Sequence, residues 1–213
     1  MDRRAFLAGV GAAIGVGIPA RAAVQCGPSP VNPYVQACRA EVDFRAASQV
    51  YAPQAQSQWC WAASVAMIFA HAGYRVAQER IVAETYGQIV NMPAGNGFMI
   101  AQQFARDWVD DTGRRFTVSL QAAYDYDAGV YQLNNAIIAE ALARNQPLIL
   151  GARAHAMVLT LMDYAQTPMG PQVTGMGVFD PWPGIGPRGL FPDEMVAMNM
   201  GGSLRFIALP RFG

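Results

Sequence analysis

Trp59-Cys60-Trp61-Ala62-Ala63-Ser64-Val65-Ala66-Met67-Ile68-Phe69-Ala70 is an unbroken apolar run with a single thiol at its start. Its composition and length predict a buried helix beginning near Trp59 or Cys60 and stopping at Gly73, a residue suited to closing a helix. A thiol at that end sees unpaired backbone N–H groups and the positive end of the helix dipole, both of which favour thiolate. Trp59 and Trp61 would keep water from it. The competing reading is a core cysteine on an apolar helix.

Working outward, Val24 to Gln58 reads as loop, broken by Pro28, Pro30, Pro33 and Pro53. Ala77 to Tyr86 predicts a second helix ended by Gly87, and Phe98 to Val109 a third. Phe116–Leu120 has strand composition, and Tyr131 to Arg144 returns to helix before Asn145 and Pro147. Strands are expected at Leu148–Gly151, His155–Tyr164, Val173–Asp180 and Leu204–Leu209, with a turn over Gln166 to Gly170. Helices precede antiparallel strands, so the fold class is α+β, with a helical lobe against a strand lobe.

Upstream, Arg3-Arg4-Ala5-Phe6-Leu7 opens an apolar Gly/Ala-rich stretch that ends near Pro19, and Ala20-Arg21-Ala22 supplies small residues for a signal peptidase. Residues 1–22 are therefore expected to be a cleaved export signal of twin-arginine type, residues 23–50 an irregular segment, and residues 51–213 the functional domain. The product would be periplasmic or secreted. The apolar stretch is short for a spanning helix, which needs about 20 residues, so no stable membrane anchor is expected.

Composition narrows the chemistry. All fifteen cationic side chains are Arg, which removes Schiff bases, Ser–Lys dyads and a P-loop lysine. Net charge is zero without a basic run, which argues against nucleic acid as a partner. Three cysteines in an exported chain suggest one pair and one reactive thiol. Cys26 and Cys38 could close a loop in the N-terminal segment, leaving Cys60 free. The rival pairing would use Cys60 and quench it. Two His residues and three scattered Cys do not suit a zinc site, and no Gly-x-Ser-x-Gly elbow is present. Asp125 and Asp127 form a small acidic pair better read as a solvated loop. Gly184, Gly186 and Gly189 lie in a Pro-rich loop unsuited to a nucleotide. No cofactor is expected, and a monomer is.

A nucleophilic thiol needs a base within about 3 to 4 Å. His71 lies eleven positions after Cys60, which on one continuous helix is about 16 Å away. His155, at the head of the apolar run Ala156-Met157-Val158-Leu159, is the imidazole that remains.

Gln54, Cys60-Trp61-Ala62-Ala63-Ser64, His155-Ala156-Met157-Val158-Leu159 and Asp180-Pro181-Trp182-Pro183 together resemble the papain-like cysteine peptidases. The likeness is to the compact secreted bacterial branch that includes plant-pathogen effector proteases and bacteriocin-leader-peptidase-like proteins. The order Gln, Cys, His, Asp is that family's order, with the Gln six residues before the Cys. The resemblance implies a catalytic cleft between two lobes, with Cys60 as nucleophile, His155 as base, Asp180 as its orienting partner in place of the Asn of papain itself, and Gln54 as oxyanion donor. Gln56 and Gln58 compete for that last role. Trp182 would cover the His155–Asp180 contact. Asp163, roughly 27 Å along an unbent strand from His155, is not expected to reach it. The implied partner is a protein or peptide substrate. Deamidation or acyl transfer on the same thioester, and an inactive papain-like binding module, are the alternatives.

Overall fold

The computed structural model describes residues 23–213. The expected export signal, residues 1–22, lies outside the described residues. The observed fold is mixed helix and antiparallel sheet. Its strands are β1 (Ala23–Pro28), β2 (Gln36–Glu41), β3 (Arg106–Val109), β4 (Arg115–Asp125), β5 (Val130–Tyr131), β6 (Leu148–Ala152), β7 (His155–Thr167), β8 (Gly170–Asp180), β9 (Gly186–Gly189) and β10 (Leu204–Phe212). The helices are α1 (Phe44–Ser48), α2 (Cys60–His71), α3 (Gln78–Tyr86), α4 (Gly97–Gln102) and α5 (Asn135–Ala143). The sheet runs β1-β2-β7-β6-β10-β4-β3, with β8 on the other edge of β7, β9 beyond β8, and β5 on β4.

The helix α2 is the opening stretch of the sequence made physical. It is buried on nearly every turn, through Trp61, Ala62, Ala63, Val65, Met67, Ile68 and Phe69, as an all-apolar helix must be. Phe69 meets Phe104, Trp108, Phe116 and Phe212 edge-on at 5.3 to 6.0 Å between ring centroids. That arrangement adds quadrupole attraction to simple burial. The end of α3 also follows the sequence: Gly87 takes φ 74° and its N–H closes on the Ala83 carbonyl, a conformation cheap only for glycine.

Three segments depart from expectation. Residues 23–50 are not irregular: β1 and β2 form a hairpin in which Cys26 faces Cys38, and β2 pairs with β7 from Glu41↔Leu161 to Gln36↔Gln166. Pro30 and Pro33 belong to the connection between the two strands, and Pro28 to a strand end, where proline costs no ladder bond. The helix expected over Phe98 to Val109 stops at Gln102, and Arg106–Val109 becomes β3 because Trp108 is opposite Phe116 on β4 and buried against it. The helix expected from Tyr131 begins at Asn135, capped by the Asn134 side chain, which accepts the Ile137 N–H at 2.9 Å. The first half of the chain thus contributes β1 and β2 to the sheet, in addition to its helices.

The disulfide joins Cys26 to Cys38, and Cys60 is the free cysteine among the described residues.

Candidate active site

Cys60 is the first residue of α2, and the two indoles beside it fix that end of the helix. Trp59 and Trp61 are buried, and their ring N–H groups donate to the Val90 and Met92 carbonyls at 2.8 and 3.1 Å. This ties the thiol to the segment leading into Pro93–Gly97, one wall of a cavity of about 570 Å³. Cys60 and His155 both line that cavity, with Gly151, Ala154 and Phe206. The Cys60 N–H is one of the first-turn amides that an α-helix leaves without an intrahelical partner. A groove of about 620 Å³ behind α2, lined by Ala63, Ala66 and Ala70, contains neither Cys60 nor His155.

His155 opens β7 straight after a two-residue turn from β6, with Ala152 paired to His155 across it. Asp180 closes β8. Its carboxylate Oδ1 sits 2.6 Å from His155 Nε2 and accepts the Trp182 N–H at 2.9 Å. The ring of His155 is thereby oriented by Asp180, in the cavity that Cys60 also lines. Burial alone would lower the pKa of His155, but the hydrogen bonds and charges of Asp180 and Cys60 overcome it and raise the group to about 9. Burial would raise Asp180, but bonds from His155, Arg188 and the Trp182 amide hold it at about 2. A cysteine and an imidazole lining one cavity, the imidazole paired with a buried carboxylate, can support nucleophilic attack with proton transfer through the ring.

The Peptidase_C39 like family matches residues 42–186 of this chain. The chain belongs to that family. Membership points to cysteine peptidase chemistry, and the matched stretch contains Gln54, Cys60, His155 and Asp180. No curated protein matches the chain.

The remaining residues of this Peptidase_C39-like protein sort by geometry. Gln54 is buried close by, its backbone N–H donating to the Pro181 carbonyl at 2.8 Å. Its side chain is not displayed as an oxyanion donor. Nε2 donates to the carbonyls of Gln56 and Ser57 at 2.9 and 3.0 Å, which uses both hydrogens, and Oε1 is buried without a partner among the described residues. Trp182 is half exposed and presents its ring to His155 edge-on, 6.3 Å between centroids. Asp163 pairs instead with Arg39 at 2.7 Å, on the far stretch of β7. His71 sits at the other end of α2, between the Tyr51 hydroxyl (3.4 Å) and the Asn145 carbonyl (3.0 Å), and burial lowers its pKa. Asp127 pairs with Arg205 at 2.7 Å on the rim of the cavity.

One participant escaped the sequence reading altogether. Arg188 on β9 donates from Nε to Asp180 Oδ2 at 2.8 Å, and from Nη1 and Nη2 to Glu194 at 2.8 and 2.9 Å. No spacing rule marks an arginine in a Gly/Pro-rich loop as the partner of a carboxylate eight residues earlier. Only the β8–β9 pairing, Asp180↔Gly186 to Gly177↔Gly189, brings it there.

Proposed function

We propose that this protein is an exported cysteine-type peptidase of the compact secreted papain-like branch, hydrolysing peptide or amide bonds through a thioester on Cys60. The observation that carries the reading is His155 paired with Asp180 at 2.6 Å in the cavity that Cys60 also lines, at the head of a buried helix. In this scheme the Cys60 sulfur attacks the carbonyl carbon of the substrate while His155 carries the thiol proton. The oxyanion lies against the Cys60 N–H, joined by Gln54 once its amide turns away from Gln56 and Ser57. His155 then protonates the departing amine as the C–N bond breaks, leaving the acyl thioester. Water attacks that thioester, His155 takes the water's proton, and the Cys60 sulfur leaves with the acid released. Asp180 holds the ring in place throughout and offsets its positive charge. The cavity walled by Pro93–Gly97, Gly151 and Phe206 is the substrate cleft.

Trapping with a thiol-reactive peptide warhead followed by mass spectrometry tests the reading. The expected result is one adduct on Cys60 in the wild type and none in Cys60→Ala. Peptide-library digestion then separates hydrolysis from deamidation or acyl transfer by the products formed. A wild-type protein that neither takes the warhead nor processes any peptide would be a binding module. Export through residues 1–22 is tested by the N-terminal sequence of protein recovered outside the cytoplasm. A start near residue 23 is expected, and an intact Met1 in that fraction would exclude cleavage.

A further inference from the structure

Asp180 is one carboxylate shared between two cations. Oδ1 faces His155, and Oδ2 faces Arg188 at 2.8 Å, in a setting where Asp180 is 5% exposed. A guanidinium fixed against a carboxylate competes with an imidazolium for the same negative charge, and in poorly solvated surroundings that competition is felt strongly. The fold supplies a second anion behind the first. Glu194 is 2% exposed and puts both its oxygens on Arg188. It also accepts the Phe191 N–H at 2.8 Å, which fixes its own backbone turn. From the thiol inward the groups alternate: Cys60, His155, Asp180, Arg188, Glu194.

The same turn, Pro192–Met195, also holds Arg153 in the turn that precedes the histidine. Asp193 accepts from Arg153 Nε at 2.8 Å and from Ser203 Oγ at 2.8 Å. Arg153 and Ala154, the two residues immediately before His155, have φ 51° and 59°. Left-handed backbone at two consecutive non-glycine residues is strained and needs outside support. The Phe191 ring lies 5.0 and 5.5 Å from the Arg153 and Arg188 guanidinium carbons. Arg188, Phe191, Asp193 and Glu194 all fall after residue 186, where the family match ends.

We propose that Arg188 and Glu194 are a charge-balanced positioning pair for the active site: Arg188 fixes Asp180 against His155, and Glu194 neutralises Arg188 so that the Asp180 charge stays with the imidazolium. This rests on His155 as the base of the proposed reaction. The titratable and charged groups facing the pair are Asp180 on β8, Arg153 in the β6–β7 turn, His155 at the start of β7, Cys60 at the start of α2, and Asp193 on the turn that carries Glu194. Removing the Glu194 charge alone leaves Arg188 uncompensated beside Asp180, which disfavours the protonated imidazole. Removing both charges restores the balance but frees Oδ2.

NMR titration of His155 in the purified protein tests this directly, with His71, the other imidazole in the chain, as internal control. In Glu194→Gln the His155 titration, at about 9 in the wild type, falls by about one unit while His71 holds still. In the Arg188→Gln/Glu194→Gln double variant it returns most of the way. The low-field proton signal of the His155–Asp180 bond, by contrast, weakens in the double variant because one carboxylate oxygen is no longer held. A folded Glu194→Gln protein with an unmoved His155, or a double variant displaced as far as the single one, overturns the proposal. Should Glu194→Gln not fold, the double variant leaves neither charge buried alone and carries the test through the low-field signal, whose persistence unchanged is the overturning result. The titration reads the coupling whether or not any peptide is cut. Cleavage with an unmoved His155 defeats this inference alone, and the predicted shifts without cleavage defeat the proposed function alone.

Discussion

His155 Nε2 stands 2.6 Å from Asp180 Oδ1 where strand β7 begins and its antiparallel neighbour β8 ends. The consequence is a histidine whose protonated form is favoured over that of a free imidazole. Burial opposes the charge, but Asp180 and Cys60 raise it to about 9 from an ordinary 6.5. A folded value above the unfolded one means that the associated stability is fully present below about pH 6.5 and disappears as pH climbs through 9. The rate of peptide cleavage is expected to lose its alkaline limb near the same pH. Cys60→Ala removes a side chain that helps to raise the ring, so His155 should titrate lower in that variant. A wild-type His155 that titrates at or below 6.5 would contradict the geometry.

Asp180 runs the other way. Despite burial its partners depress it to about 2 from 3.8, so its contribution to stability is present above about pH 4 and is lost as pH falls toward 2. Asp180→Asn should therefore melt with a shallower loss over that acid interval than the wild type. Its kcat should fall about 10²- to 10⁴-fold, the range spanned by general acid–base assistance. An Asp180→Asn enzyme with near-normal kcat would remove Asp180 from the reaction.

Local pattern made part of this legible. The run from Trp59 to Ala70 is apolar without a break, so α2 and the thiol at its head follow from propensity and dipole alone. Leu148–Gly151, His155–Tyr164 and Leu204–Leu209 are β-rich runs bounded by turns, and each becomes the core of a strand. What the sequence hid was non-local. β2 looks like loop until Arg39 meets Asp163 across the sheet, 124 residues on. Trp108 fits a helix as well as a strand until Phe116 pairs with it. The Gln54 side chain sits at the right spacing, but its donors are taken by carbonyls two and three residues along, an exchange no spacing rule anticipates.

Gln54 is accordingly the sharpest test of the oxyanion assignment. If its amide turns to the oxyanion during the reaction, Gln54→Ala should lower kcat about 10²- to 10³-fold with KM little changed, the loss typical of one such donor. Steady-state kinetics on a cleaved peptide give the answer. A loss under about tenfold would assign Gln54 to support of the 54–57 loop and leave the Cys60 N–H as the donor.

Gly97 shapes the cleft by having no side chain. A Cβ there would fall 2.5 Å from a Phe206 ring carbon and 2.6 Å from an Asp125 carboxylate oxygen. Phe206 is buried and cannot swing clear. Gly97→Ala should therefore destabilise the protein by about 1–3 kcal/mol through overpacking, and raise KM by displacing the Pro93–Gly97 wall. Urea unfolding and substrate titration measure the two effects. Unfolding that matches the wild type would mean this wall yields freely.

The Cys26–Cys38 bridge should matter to stability and not to the thiol chemistry. It crosses a hairpin with a sequence separation of 12, a closed loop whose loss costs about 3 kcal/mol in chain-entropy terms. That hairpin joins β7 only from Leu161 to Gln166, while His155 lies at the opposite end of the strand. A Cys26→Ala/Cys38→Ala variant should thus unfold at lower denaturant yet alkylate Cys60 with iodoacetamide at the wild-type rate. The native protein should titrate one thiol with a disulfide-exchange reagent, and three after reduction and unfolding. Slower Cys60 alkylation in the variant would mean that the hairpin holds the active-site end of β7 after all, and that strain at Cys38 reaches His155 along the strand.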